Sequence, residues 1–380
     1  MKNNDGRITP EALEKYKARV GMSLRVSDVF NDRAGRTAIR RFCDGIGESN
    51  PLYLDSDYAA NSVWRAEYAP PSFVVSVFPG WILQGLPGVH AFHTSSSFRF
   101  IKPVPLGAEI IPESRFTGFR KFPGRLGANS LLEKQHARYL AADGSVFAEA
   151  DVTGIRVERE NSREADIYKD IQLPHPWTAS ELEGLADRIK KHRRRGAEPR
   201  FIEDVSAGDI MPETVFGPLG VTDIIAYCVG ACPLRLQAGV LALNEYDEHP
   251  MWAYLDEDSS SMEPVFGVHY SRSAAKAAGM PAPYDLGTQR HAILMHTLTD
   301  WIGDAGWLQS CEAQYCGYVF LSDVMYISGE VISTEDNNNS VRLRLWADNQ
   351  RGERVLKGKA EILLPHRRDP DEVVRRVLER

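Results

Sequence analysis

The chain is poor in cysteine, with five in 380 residues and no Cys-x-x-Cys pair. This scarcity argues against a disulfide framework and against a zinc ribbon. Cys228 and Cys232 could share one face of a helix, but no second pair of ligands accompanies them. We expect them to be ordinary buried thiols rather than metal ligands.

Long apolar runs are also missing. No stretch approaches the roughly 20 apolar residues that cross a bilayer, and the polar start has no apolar signal-peptide core. A cytoplasmic location without membrane contact is therefore expected.

A basic surplus is absent as well. The net charge of -7 argues against nucleic-acid binding, because backbone phosphates favour a basic surface. One local exception is the basic run at residues 190–195, Lys-Lys-His-Arg-Arg-Arg. We interpret it as the solvated end of a helix that begins near Ala179, and a clamp for phosphate groups is the alternative.

What the chain does contain is an imperfect internal repeat. Each half has, in the same order, a first helix, a loop with a short Ala-rich helix, a turn into a second helix, and strands. The paired segments are 36–46 with 221–230, 56–61 with 271–278, and 69–72 with 283–287.

Strand patterns close each half. Residues 340–346 alternate apolar and charged side chains, as expected for a strand with one buried face. Asp143-Gly144 and Arg351-Gly352 predict hairpin turns before last strands at 145–157 and 353–364. The fold class is therefore α+β. We expect a first domain at 1–160, a charged linker at 161–198 and a second domain at 199–380.

A long helix over residues 288–302 is predicted in the second half. Its apolar residues form one stripe, made of Leu294, Met295, Leu298, Trp301 and Ile302. His291 lies on that stripe, where it lines the core or a cavity. His296 is expected on the surface, and the spacing of five residues means that the two histidines do not share a metal.

Residues 42–55, Phe-Cys-Asp-Gly-Ile-Gly-Glu-Ser-Asn-Pro-Leu-Tyr-Leu-Asp, carry a family resemblance. They resemble the hydratase-2 motif of the MaoC-like (R)-specific enoyl-CoA hydratases and dehydratases. Glu48 stands where that family has its catalytic aspartate, and Tyr53 stands where it has its histidine. With Asn50, these residues are expected to contact substrate in a first half that has become a scaffold.

The second half resembles the same motif around His269, which is followed by an Ala-rich helix and a Gly-x-Pro turn. Ser271 replaces the family's aspartate two residues later. The residue five positions before His269 is a proline, so the catalytic aspartate is out of register. Glu263 is the nearest carboxylate in sequence, and Asp256 and Asp258 are reserves.

The turn before the long helix corresponds to the family's His-Gly turn, with Gly287 at the glycine position. The resemblance therefore implies that His269 and Glu263 form an acid-base pair and that the N–H of Gly287 stabilises the enolate oxygen. Tyr284, Asp285 and His291 are expected to contact substrate.

The resemblance covers roughly residues 27–364, nearly the whole chain, and implies a double hot-dog fold. In that fold, two long central helices are wrapped by one continuous antiparallel sheet. It implies reversible hydration of a trans-2-enoyl-CoA, or dehydration of an (R)-3-hydroxyacyl-CoA, in fatty acid metabolism. No cofactor is needed beyond the coenzyme A of the substrate. A homodimer is expected, with a hetero-oligomer as the alternative. A hot-dog thioesterase and a catalytically silent subunit stay open as other functions.

Overall fold

The computed structural model describes residues 6–27, 29–86, 88–121, 129–158, 168, 170–231 and 236–380. Cys232 lies outside these ranges, while Cys228 is half-buried. Within the described ranges, no helix combines the length and the apolar character that crossing a membrane requires.

The described part of the first half contains five short helices and five strands. The helices are α1 (Pro10–Lys17), α2 (Arg36–Ile46), α3 (Pro51–Leu54), α4 (Ser56–Asn61) and α5 (Val74–Val77). The strands are β1 (Ser23–Leu24), β2 (His90–Phe100), β3 (Ile111–Lys121), β4 (Ser130–Leu140) and β5 (Val146–Val157).

The remainder of the chain begins with a helix in the predicted linker and continues into the second half. The helices are α6 (Ala179–Lys191), α7 (Val221–Ala231), α8 (Val240–Glu248), α9 (Arg272–Ala277), α10 (Gly287–Ile302) and α11 (Glu372–Leu378). The strands are β6 (Thr214–Phe216), β7 (Ala253–Leu255), β8 (Met262–Pro264), β9 (Trp307–Tyr315), β10 (Met325–Glu335), β11 (Ser340–Asn349) and β12 (Arg354–Leu363).

One antiparallel sheet of ten strands joins the two halves, in the order β1-β3-β4-β5-β2-β9-β12-β11-β10-β6. Its centre is the β2–β9 pair, where Ser95 lies opposite Gln314 and Arg99 lies opposite Ser310. The strands follow the same pattern outward from this junction on both sides, as the internal repeat predicts. β7 and β8 form a separate hairpin that precedes His269.

The two central helices differ in length, which corrects the expectation of two long ones. α10 has 16 residues, whereas its first-half equivalent is a 3₁₀ turn, Pro71–Phe73, that continues into the four residues of α5. Pro79 explains the early end, because a proline disfavours helical backbone at the preceding residue. Phe78 is accordingly extended, with φ -162° and ψ 131°.

α2 and α7 are the paired first helices of the repeat, and they cross at two glycines. A Cβ atom on Gly230 would lie 2.2 Å from the backbone oxygen of Arg41. A Cβ atom on Gly45 would lie 2.7 Å from the Cα of Tyr227. The two helix backbones therefore approach more closely than any side chain would allow.

We expect Gly230→Ala to lower the free energy of unfolding by about 1–3 kcal/mol, the usual cost of overpacking. This loss should appear even though alanine is the better helix former. Gly184→Ala in α6 is the control, since nothing lies within 4 Å of a Cβ there. It should stabilise the protein by about 0.5–1 kcal/mol. Urea unfolding measures both, and equal stability of the two variants would contradict the close crossing.

Candidate functional site

His269 ends a 3₁₀ turn, Val265–His269, and its imidazole is held in one orientation. Its Nδ1 lies 2.9 Å from the backbone oxygen of Tyr284. The rings of Phe266 and Tyr284 pack edge-on against it, each at 5.0 Å between centroids. Because a carbonyl oxygen only accepts hydrogen bonds, Nδ1 carries the proton of the neutral ring. Nε2 therefore keeps its lone pair.

The charge state of His269 follows from its surroundings. Burial lowers the pKa of the imidazole below its ordinary 6.5, and the bond to Tyr284 and the charge of Asp285 only partly oppose this. At neutral pH the ring is neutral, with an unprotonated Nε2. Since Nδ1 bonds to the oxygen of Tyr284, Nε2 is the ring nitrogen that can accept a proton.

Glu263 and Asp256, two of the carboxylates proposed as partners of His269, have other partners in the structure. Glu263 accepts a hydrogen bond from Ser261 at 2.9 Å. Within the described chain we find no bond between Glu263 and His269. Asp258 lies in the loop after Asp256, and its backbone N–H donates to Asp256 at 3.0 Å.

Asp256 instead supports the helix that follows His269. Its carboxylate accepts hydrogen bonds from the hydroxyls of Ser273 and Ser271. The bond from Ser273 and the N–H of Ser259 lower its pKa. Ser271 in turn caps α9 by accepting from the N–H of Ala274. Asp256 and Ser271 together thus anchor the start of this helix, where the family has a single aspartate.

Gly287 is the first residue of α10, so its N–H has no acceptor inside the helix. A Cβ there would lie 3.1 Å from the ring of Tyr315, so a side chain would fit only if that ring shifted slightly. Tyr284, three residues earlier, supplies the carbonyl that holds His269. The predicted oxyanion donor and the predicted imidazole are therefore attached to the same turn.

Asp285 is engaged in a buried ion pair. Its two oxygens accept from Nε of Arg290 at 2.7 Å and from a terminal nitrogen of Arg290 at 2.5 Å. Arg290 also donates to the backbone oxygens of Gly317 and Val355. Both side chains are only 3% exposed. This pair fixes the start of α10, and it leaves Asp285 little capacity to contact substrate directly.

His291 is buried one turn further along α10, beside Tyr315 and against the ring of Phe98. Burial and the neighbouring His93 lower its pKa to about 3, so it is neutral. Its buried Nε2 lacks a hydrogen-bond partner within the described ranges. This side chain contacts the core, as the apolar stripe predicts.

The first half has its own polar cluster, and it corrects the expectation that His296 is a surface residue. Nδ1 of His296 lies 2.8 Å from Glu48, and Nε2 lies 3.6 Å from Asp300. Asp300 also accepts from Nε2 of His192 at 2.7 Å. His296 is only 13% exposed. The apolar stripe of the long helix could not indicate this pair, because Glu48 is 248 residues away in the chain.

Asn50 and Asp304 extend this cluster. Asn50 donates its backbone N–H to Glu48 at 2.7 Å and its side-chain amide to Asp304 at 2.8 Å. Tyr58 and Trp64 also donate to Asp304, at 2.6 and 2.7 Å. The first-half motif is therefore bonded directly to the end of α10.

Tyr53 lines a small cavity beside this cluster. The cavity, of about 30 Å³, is bordered by Asn50, Trp64, Thr299 and Asp304 among others. It has room for no more than about two water molecules. Burial and the charge of Glu48 raise the pKa of Tyr53 well above its ordinary value, so it stays protonated. A cavity of this volume is too small to hold an acyl chain.

Glu48, His296 and Asp300 also satisfy the simplest test for a metal site, because their ligand atoms lie within 4.8 Å of one another. Glu48 is already hydrogen-bonded to His296, and Asp300 is already hydrogen-bonded to His192. The arrangement is explained by charge pairing, and we assign no metal to it.

The pairing predicts a pH-dependent stability. Burial favours a lower pKa for His296, but Glu48 and Asp300 outweigh it and raise the pKa from 6.5 to about 9, against the opposing charge of Arg194. Since the folded pKa exceeds the unfolded one, the stabilisation is complete below pH 6.5 and is lost as the pH rises through about 9.

The predicted loss across this interval is at most about 3 kcal/mol, from a shift of about 2.5 pKa units. Urea unfolding at several pH values measures it. His296→Gln should flatten the profile between these pH values. An identical slope in the variant and the parent protein would show that the raised pKa belongs to another group.

Comparisons with known proteins are consistent with this structure. The family profile described as FAS1-like, dehydratase domain region, matches residues 20–149. A UPF0336 protein of a Parafrankia strain is 30% identical over 125 residues, covering 31% of this chain and 79% of that protein. An (R)-specific enoyl-CoA hydratase of Aeromonas caviae is 29% identical over 109 residues, covering 29% of this chain and 78% of that enzyme.

Two solved structures match nearly the whole chain. A MaoC-like dehydratase has a TM-score of 0.64 at 15% identity and covers 92% of this chain and 99% of its own. A conserved hypothetical protein of Mycobacterium tuberculosis, described as having a double hot-dog fold, has a TM-score of 0.55 at 13% identity, with 90% and 96% covered. They confirm the predicted double hot-dog fold. The family profile and the two sequence relatives place the chain in the family of MaoC-like hydratases and dehydratases.

Proposed function

We propose that this protein is a hydro-lyase that reversibly hydrates a trans-2-enoyl-CoA to an (R)-3-hydroxyacyl-CoA, with its active site in the second half. The observation that carries the proposal is the neutral imidazole of His269, whose Nδ1–H is held by Tyr284 and whose Nε2 carries the lone pair. An imidazole in this state is the acid-base group that splitting a water molecule requires.

His269 can both remove the proton and return it during the reaction. Nε2 takes a proton from water as the hydroxyl oxygen bonds to C3, and negative charge moves to the thioester oxygen. The imidazolium then returns a proton to C2 as the enolate collapses. Dehydration is the same sequence reversed, and neither direction changes an oxidation state. The reaction therefore needs no redox cofactor, and coenzyme A enters as part of the substrate.

Gly287 supports the proposal as the donor to the enolate oxygen. Its N–H stands at the positive end of α10, where the helix dipole and the absence of an internal acceptor favour a negative oxygen. The buried pair of Asp285 and Arg290 holds this helix start in place. Glu263 stays a predicted partner that would orient the water, and its role depends on reaching His269.

The first half serves as a scaffold in this proposal. Tyr53 offers no imidazole at the family's histidine position, and Glu48 is neutralised by His296. The Aeromonas relative is named as an (R)-specific enoyl-CoA hydratase, which supports the reaction class. The homodimer, or a hetero-oligomer in its place, remains a prediction.

A silent subunit is the second candidate, and one observation favours it. His269 has no carboxylate hydrogen-bonded to it among the described residues, although the family's mechanism pairs the two groups. A subunit of that kind would complete the pocket of an active partner and would not itself turn over substrate.

The test is an assay of the purified protein against enoyl-CoA thioesters of short, long, branched and aromatic acyl groups. Hydration is followed by loss of the conjugated enoyl absorbance, and release of free thiol is recorded in parallel. Formation of the 3-hydroxyacyl product supports the proposal. Thiol release without hydration would instead indicate a thioesterase, and no turnover of any thioester would favour the silent subunit.

A further inference from the structure

The basic run that follows α6 forms part of a groove that the proposed reaction does not use. Residues 192–197 line it together with Pro51 and Tyr58 of the first half, and its volume is about 400 Å³. Pockets that bind small organic ligands and cofactors measure about 300–1,000 Å³. None of these lining residues belongs to the His269 site.

The run is fastened to the folded core, so its side chains are positioned in advance. The N–H of Arg195 donates to the backbone oxygen of Asp300 at 3.0 Å. The N–H of Asp304 donates to the oxygen of Gly196 at 2.8 Å. Gly303 allows this contact, since a Cβ there would lie 2.9 Å from the oxygen of Glu198. The backbone of this wall is thus held in a fixed position over the end of α10.

The cations of the groove have few anionic partners. Arg194 is exposed, and within the described residues its side chain bonds only to the hydroxyl of Ser49, at 3.1 Å. Arg195 pairs with Glu198 at 3.3 Å, but that carboxylate is 76% exposed and the pair is weak. Arg193 donates to the oxygens of Lys190 and His192, which neutralises the carbonyl end of α6.

The carboxylates behind the groove are already occupied. Asp300 accepts from His192, and Asp304 accepts from Tyr58 and Asn50. These hydrogen bonds hold both carboxylates in place behind the groove. The concave surface therefore keeps one guanidinium group, that of Arg194, without a carboxylate partner in the described residues, in a protein whose net charge is -7.

We propose that this groove binds the phosphate groups of a nucleotide-sized organic phosphate that carries at least two phosphates. Guanidinium groups bind phosphate oxygens in pairs of parallel hydrogen bonds, and consecutive arginines present several such donors. Coenzyme A, ATP and inorganic pyrophosphate share this chemistry. The site lies in the first half and the linker, and it is independent of the acid-base chemistry proposed for His269.

The test is calorimetric titration of the whole protein with pyrophosphate, ATP and coenzyme A, at low and moderate salt. Each ligand is expected to bind, and binding should weaken as salt increases because the contacts are ionic. Arg194→Gln with Arg195→Gln should raise the Kd for pyrophosphate and ATP by at least about tenfold. Since neither probe is a thioester, this result does not depend on hydration.

The matched control is Arg342→Gln with Arg344→Gln, which removes the same charge from arginines that are 58% and 62% exposed on β11. This control should bind both probes as the parent protein does. Arg194→Gln alone, which loses only the bond to Ser49, guards against misfolding of the double variant and should raise the Kd by at least about threefold.

Tighter binding of coenzyme A than of ATP would support the proposal and would assign the groove to the coenzyme. Equal binding of pyrophosphate and the nucleotides would also support it, with recognition limited to phosphate. The proposal is overturned if no probe binds at millimolar concentration, or if both arginine variants bind as tightly as the control.

Discussion

Replacing His269 with alanine is expected to lower kcat for enoyl-CoA hydration by at least about a hundredfold, the usual loss of a general acid-base group. In the proposed mechanism the imidazole takes the proton from water, and alanine offers no lone pair in its place. The fold should survive, since the ring contributes one hydrogen bond, to Tyr284. Steady-state kinetics and circular dichroism measure the two quantities.

Tyr53→Phe is the control for the two halves, because Tyr53 occupies the equivalent position in the first half. Tyr53→Phe should lower kcat far less than His269→Ala does. If Tyr53→Phe abolishes hydration and His269→Ala does not, the active site lies in the first half.

Glu263→Gln tests separately whether Glu263 is the carboxylate partner of His269. A large loss of kcat would show that Glu263 reaches His269 during the reaction. Near-parental activity would show that the imidazole works without Glu263. The hydrogen bond from Ser261 would then be the contact that explains Glu263 in the described residues.

Removing Asp285 is expected to cause the largest loss of stability. Asp285→Ala leaves Arg290 charged and buried without its partner, and breaking such a pair costs about 3–5 kcal/mol. Asp348→Ala is the control, because its pair with Arg354 lies at the surface, with side chains 32% and 41% exposed. That change should cost no more than about 1 kcal/mol. Urea unfolding distinguishes the two values.

A double-mutant cycle separates the pair from its surroundings. Asp285→Leu with Arg290→Met should be more stable than the sum of the single changes predicts, with a coupling of about 2–3 kcal/mol. The double variant should still be less stable than the parent protein, because the backbone oxygens of Gly317 and Val355 lose the donor that Arg290 provides. Additive losses would mean that the ion pair does not hold the start of α10.

The elements with strong local signals were predictable from the sequence. The helices at Arg36–Ile46 and Ser56–Asn61 have the bounds that the repeat predicts. The alternating strand at 340–346 lies within β11. These features depend on side-chain periodicity and on residues close in the chain. The short first-half helix also had a local signal, Pro79, which the comparison of the two halves did not weigh.

The sequence by itself also determined the family, because the family depends on motifs that are contiguous in the chain. The role of His269 stays a prediction. The sequence could not place His296. Thirteen of the sixteen residues of α10 are buried. The helix is enclosed by the sheet on one side and by the first-half motif on the other, so a single apolar stripe does not describe it.

Only the tertiary structure decided which carboxylate meets which histidine. Glu48 and His296 are 248 residues apart and belong to different halves, so no spacing rule relates them. Glu263 is six residues from His269, yet β8 directs it toward Ser261. Ion pairing depends on distances of a few ångströms between side chains, and packing of the two halves sets those distances after the local elements have formed.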